Sequence, residues 1–218
     1  WSFRDRLLSA DTTLTEFEAS RYEEAGNFSN QPYETEAAES HAEKAILSFH
    51  RTESVKGLPV TVKKTYTLWA SKAELSVNYS FQNAQKPGQV QGPISSRETQ
   101  SANYQWGAEL NLTLLAGADP KRYYRFPDRV VENIFMNSMG VLEEVAEAHL
   151  VDEWQGIEIR LEFKPAATLW RFPIETISQS EEGMESNYQG SCLVALWPLA
   201  LPLKEKRGGL IKMKIVER

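Results

Sequence analysis

ATLWRFPIETISQSEEGMESNYQGSCLVALWP, residues 167–198, reads as two strands joined by a turn, and this reading decides the fold class. With the two-residue period of a strand, Trp170, Phe172, Ile174 and Thr176 share one face, and Leu169, Arg171, Pro173, Glu175 and Ile177 share the other. The Trp170 face reads as core. On the second face Arg171 and Glu175 stand four positions apart, about 13 Å between Cα atoms at strand rise, so each needs a partner other than its neighbour. SQSEEG supplies polar residues and glycine for a turn. Cys192, Val194 and Leu196 then resume an alternation that Pro198 stops.

Working outward, the same period recurs. Ala45, Leu47 and Phe49 alternate with polar neighbours, as do Val60, Val62, Tyr66 and Leu68, and Leu75, Val77, Tyr79 and Phe81. Tyr104 through Leu114 give the longest such face and read as a central strand. Ile157 to Phe163 and the LIKMKIV of residues 210–216 add two more. Residues 142–151 suit a helix by propensity and a strand by the spacing of Val145, Glu147, His149 and Val151. Residues 1–30 read as an irregular, hinge-like lead-in in which Asp11 caps a short helical turn ended by Gly26. ETEAAESHAEK, residues 34–44, is too charged for a buried strand, and AQKPGQVQGPISSRETQ, residues 84–100, has the composition of a surface loop. About nine strands with hardly a helix predict an all-β antiparallel sandwich, with residues 1–218 as one domain.

Composition narrows the function classes. A net charge of −6 argues against nucleic acid as a partner, because phosphate neutralisation needs clustered Lys and Arg. Nothing approaches the eighteen or so apolar residues of a membrane span. Cys192 is the sole cysteine, so no internal disulfide and no thiolate metal site can form, which suits a reducing, cytoplasmic compartment. The chain starts at Trp1 with neither Met nor a signal-peptide pattern, as expected of a domain excised from a longer polypeptide.

Several long blocks are collinear with one family: DTTLTEF and NQPYE near the start, VKKTYTL and ELSVNYSFQN, WGAELNLTLLAG with RYY, then LVDEWQGIEIRLEF and LWRFPIETISQSEEGMESNYQGSCLVALWPL. Together they resemble the C-terminal β-sandwich domain of the α-amylases and 4-α-glucanotransferases of glycoside hydrolase family 57. The resemblance implies a twisted, galactose-mutarotase-like supersandwich, preceded by a catalytic barrel that is its partner domain and that carries the family's nucleophilic Glu and acid/base Asp. No residue of this chain inherits either role. WSFRDRLL resembles the hinge into the sandwich.

The residues themselves offer little catalysis. A glycosidase needs two carboxylates about 5 to 10 Å apart, and Glu109 and Glu175 are the candidates, although strand carboxylates usually pair with a cross-strand Arg. An epimerase wants a His acid facing a Glu base, and His41, His50 and His149 form no such pattern. Asp152-Glu153 and Glu181-Glu182 lack the alternating oxygen ligands of a calcium loop, and neither a metal-ligand spacing nor a cofactor motif is visible. Sugar binding is the better reading: Trp154, Tyr123, Tyr124 and Trp170 could stack on sugar faces while Arg171, Glu175, Gln179, Glu109 and Asn111 bond hydroxyls, with packing as the competing use of the large rings. Within the chain, Glu109 is the expected partner of Arg171. The expected function is a non-catalytic accessory domain of an α-glucan-processing enzyme that supports the barrel and touches α-glucan oligosaccharide. The alternative is a stand-alone carbohydrate-binding module or a mutarotase-like protein.

Overall fold

The computed structural model describes residues 2–83, 102–180, 183–201, 203 and 207–218. The 84–100 stretch and Glu181-Glu182 lie outside the described residues. Eleven strands form one antiparallel sheet: β1 Ser2–Ser9, β2 Glu34–Ser40, β3 Lys44–Val55, β4 Leu58–Trp69, β5 Glu74–Asn83, β6 Ala102–Leu112, β7 Arg122–Arg125, β8 Gly140–Asp152, β9 Ile157–Ser180, β10 Gly183–Leu201 and β11 Arg207–Glu217. Its order is β1-β6-β10-β9-β11-β5-β4-β3-β2, with β8 also paired to β9 and β7 to β8.

The 24-residue β9 makes this sheet a sandwich. Its first half pairs with β11 through Ile157 to Lys164, and its second half pairs with β10 from Thr168 onward, so one strand serves both layers. Strands β5 and β6 are not neighbours along the sheet, yet Tyr79 and Phe81 of β5 lie 4.4 and 4.7 Å from the Trp106 ring of β6. Trp106 stacks on Trp197 of β10 at 5.0 Å, and Phe163 of β9 closes the group. Rings on the facing layers thus interdigitate in the interior, as in aligned sandwiches. These are the residues whose alternation was readable in the sequence.

Where residues 190–197 of β10 lie beside residues 167–171 of β9 the layer is covered on both faces, which reverses the expected polarity of the deciding stretch. Leu169, Leu193, Ala195 and Trp197 face the main core, whereas Trp170, Cys192, Val194 and Leu196 form a second cluster with Leu8, Leu14 and Phe17. Leu14 and Phe17 come from α1, Leu14–Glu18, which lies over the outer face. Arg171 therefore points into the main interior and Trp170 away from it.

Other expectations change too. The lead-in is not irregular throughout: Ser2–Ser9 is a strand paired with β6, because Phe3, Leu7 and Leu8 each find core, while residues 20–30 are irregular apart from a single bridge. Asp11 is not the cap, and Gly26 does not end the helix. Thr13 and Glu16 form a reciprocal capping box and the helix ends at Ala19, a T-x-x-E signature present in the sequence. Residues 142–151 are strand, since both edges of β8 find partners. Glu34–Ser40 is a strand after all, but an exposed edge strand whose charges discourage edge-to-edge association.

Candidate functional site

The nine candidate sugar-contacting residues fall in five places. Glu109 lies buried on the outer face of β6 and is bound by Arg6 of β1, with Nε and Nη2 at 2.7 and 2.6 Å from Oε2. Asn111 Nδ2 donates to its other oxygen at 2.8 Å. Arg6 also pairs with Glu24 and lies 5.5 Å from the centroid of Phe17, so it fastens β1, β6 and α1 together. Burial weighs against the Arg6 charge, but Glu109 and Glu24 outweigh it and raise its pKa. Trp170 packs beneath the same helix, 5.7 Å from Phe17, and presents no platform.

Arg171 does not reach Glu109, which sits on the opposite face of the layer. It is buried in the main core, donates to Ser138 Oγ and, at 2.8 Å, to the Asn133 carbonyl, and lies 5.3 Å from the Tyr124 ring centroid. Among the described residues no carboxylate lies within ion-pairing distance and its Nε has no acceptor, so burial lowers its pKa. Tyr124 is fully buried and unavailable to ligand. Glu175 and Gln179 lie on the exposed ribbon formed by the far ends of β9 and β10, where Glu175 faces Tyr188 and Gln179 faces Met184. Glu109 and Glu175 are thus not a dyad.

The nearest approach to an acid/base pair was not legible in the sequence. His149 Nδ1 lies 2.6 Å from Glu158 Oε1, and its Nε2 meets Glu147. Arg125 and Arg160 approach the same Glu158 oxygen at 2.5 and 2.9 Å, and Arg218 lies 3.7 Å from the other. Burial pushes the Glu158 carboxyl up, but Arg125, Arg160 and His149 outweigh it and hold the group below its ordinary range. A carboxylate so neutralised is a poor base, and direct contact with His149 leaves no room for a sugar between them. The available signal was the E-x-H of Glu147-His149 and the E-x-R of Glu158-Arg160 on the two arms of a hairpin turning at Gly156.

Tyr123 of β7 and Trp154 of the β8–β9 turn lie in one hairpin system. Asp152 Oδ1 accepts from the backbone N–H of Trp154 and Gln155 at 2.9 and 3.0 Å, and Oδ2 accepts from Arg122 Nε at 2.9 Å, so this carboxylate is occupied as a turn anchor rather than open to a cation. The turn leaves Trp154 63% exposed, with Nε1 donating to Asp119 Oδ2 at 3.0 Å and Lys121 Nζ 4.5 Å from its ring centroid. Tyr123 donates to Glu153 at 3.0 Å and accepts from Arg218 at 3.4 Å.

Comparison with known proteins places this architecture. The chain is 28% identical over 209 residues to alpha-amylase 1 of Dictyoglomus thermophilum, covering 93% of this chain but 26% of that protein. The crystal structure of the 4-alpha-glucanotransferase of Thermococcus litoralis superposes with a TM-score of 0.69 at 21% identity, covering 98% of this chain and 27% of that one. A galactose mutarotase-like protein of Clostridium acetobutylicum gives 0.58 at 11% identity, covering 92% of this chain and 71% of that one, and so shares the fold. The chain spans about a quarter of the length of the relatives named alpha-amylase or 4-alpha-glucanotransferase. No helix among the described residues is long and apolar enough to cross a membrane. Residues 1–208 match the family model described as alpha-amylase/4-alpha-glucanotransferase, C-terminal, and the chain belongs to that family.

Proposed function

We propose that this chain is the non-catalytic accessory domain of an α-glucan-processing enzyme, folding as one unit beside an upstream catalytic barrel in a cytoplasmic protein and touching α-glucan at its surface. The observation that carries this reading is the match of nearly the whole chain to the last quarter or so of much longer relatives, two of which are named 4-alpha-glucanotransferase. The side-chain chemistry supports it: Glu109 and Glu158 are saturated by cations, and Glu175 stands opposite Tyr188 on an exposed ribbon. The mutarotase-like fold alone does not favour an epimerase, because function resides in a site rather than a fold.

A surface for the barrel is also available. From the register of β9 and β10, Glu175, Ile177 and Gln179 share a ribbon face with Met184, Ser186 and Tyr188, while Thr176, Ser178, Glu185 and Asn187 occupy the other. Ile177 and Met184 are 70% and 80% exposed, and a lone two-stranded ribbon is marginal in water, so cover by the remaining polypeptide would stabilise it. Incubation of the 218-residue chain with maltooligosaccharides tests the accessory role. No hydrolysis or disproportionation product is expected, and turnover abolished by Glu109→Gln or Glu158→Gln would overturn it.

A further inference from the structure

The structure assigns to the exposed face of Trp154 a sugar-ring platform for one glucose unit of an α-glucan chain. This inference rests on the proposed α-glucan contact and names its site. Three segments build it: the connection ahead of β7, the β8–β9 turn and the C-terminal residue.

Three features point to a ligand. First, Trp106, Trp170 and Trp197 are buried, whereas Trp154 is 63% exposed, a large apolar surface left in water without return to the fold. Second, the ring is held in place. Asp152 fixes the turn backbone, Asp119 takes the indole N–H, and Lys121 lies over the ring, while no other ring stacks on it among the described residues. Orienting an exposed side chain costs conformational entropy that a preorganised binding surface recovers when a ligand arrives. Third, the surroundings suit a ligand that is apolar on its ring face and polar at its rim. Asp119 and Lys121 stand against the indole, and on the adjoining segments Tyr123 bridges Glu153, the residue before Trp154, and Arg218.

A protein interface would look different. Interface cores are depleted in charged residues, whereas here the ring is held between a carboxylate, Asp119, and a cation, Lys121. The apolar ribbon carrying Ile177 and Met184 lies at the other end of β9, so docking there leaves Trp154 free. A hexose ring fits the remaining chemistry, with its C–H face on the indole and its hydroxyls at the carboxylates and cations.

The test is a titration of the 218-residue chain with maltoheptaose, followed by amide and indole N–H chemical shifts, alongside Trp154→Ala and Trp154→Phe. The expected result is saturable binding centred on residues 119–123 and 152–156. Trp154→Ala should weaken it about tenfold or more and Trp154→Phe by less, both without loss of melting temperature because the ring is not core. Wild-type binding that Trp154→Ala leaves unchanged would overturn this site while keeping the α-glucan contact elsewhere. Absence of binding by the wild-type chain would overturn the site and the contact together, while the accessory role would still stand on the turnover experiment.

Discussion

Replacing Arg6 by Met should unfold this domain at a markedly lower temperature, and replacing Glu109 by Leu in the same chain should restore most of the loss. The side chains of Arg6 and Glu109 are each 9% exposed, so the pair is effectively buried. Met keeps most of the Arg6 stem against Phe17 but leaves Glu109 with Asn111 as its sole neutral donor. Stranding one member of a buried pair costs about 3–5 kcal/mol. The lower figure applies here, because Glu24 retains Ser29 as a partner at 2.7 Å and is itself partly exposed. For a chain of this size each kcal/mol moves the melting temperature by about 2–4 °C, so thermal melts at pH 7 should show a drop of roughly 6–12 °C. The Arg6→Met/Glu109→Leu chain removes both charges, and its melting temperature should return to within a few degrees of wild type. A drop below about 2 °C for Arg6→Met, or a double variant no better than the single, would refute this account of how β1 is fastened.

Three further outcomes follow from the geometry. Asp152 is held below its ordinary value of 3.8, burial pushing it up but Arg122 and the amides of Gln155 and Trp154 outweighing it, so its stabilisation is complete above that pH and lost as pH falls through the folded value; Asp152→Asn keeps the turn acceptor yet should lower the melting temperature at pH 7 and flatten the acid limb, and an unchanged acid slope would contradict this. Gly208→Ala should cost about 1–3 kcal/mol in chemical denaturation, because its Cβ would meet the Tyr79 carbonyl oxygen at 2.8 Å and backbone cannot step aside; a stability equal to wild type would mean that β11 shifts freely. Ile177→Ser with Met184→Ser should leave the melting temperature of this chain within about 2 °C but lower that of the full-length polypeptide, and equal melts in both settings would argue against cover of the ribbon by the barrel.

What the sequence disclosed follows from where each layer meets water. Thr61, Lys63 and Thr65 alternate with Val60 and Val62 because that layer is wet on one side, and there a two-residue period identifies strand and interior face together. The stretch around Trp170 differs. Alternation separated its faces correctly, but both are buried, one by the opposing layer and one by α1, and periodicity cannot tell which cover is the main core. By periodicity the apolar Trp170 face therefore reads as the interior, although the main interior holds Arg171. The first strand failed for a related reason: Arg4, Asp5 and Arg6 look like a solvated run. The partner that makes Arg6 a buried strand residue is Glu109, and Asp5 is held by Lys64 at 2.8 Å, both far away along the chain. The candidate sugar residues were scattered for the same cause, since a list of amphipathic side chains carries no register. Asn111 stays with Glu109 and Arg171 with Tyr124, but both pairs are turned inward, whereas Tyr123 and Trp154 lie in one hairpin system with Trp154 exposed.

The buried charges bear on what chemistry the carboxylates of this fold can do. A general acid or base needs a carboxylate whose burial is not fully compensated and which faces a reacting atom. Among the described residues five acids are buried, and each meets cations: Asp5 meets Lys64, Glu74 meets Lys72 and Lys214, Glu109 meets Arg6, Asp152 meets Arg122, and Glu158 meets Arg125, Arg160 and His149. Asp5 is the one whose pKa is raised, by burial against the pull of Lys64 and Tyr33, but those same groups enclose it and leave 1% exposed. No substrate reaches that carboxyl. Arg171 is the reverse case, a buried cation held by Ser138, a carbonyl and an aromatic face, which can donate hydrogen bonds but cannot move a proton at ordinary pH. Acids thus serve as rivets between strands, and the ligand-facing chemistry that remains is an indole with charges around it. That combination suits the proposed contact with a sugar ring and the proposed place of this chain beside a catalytic barrel.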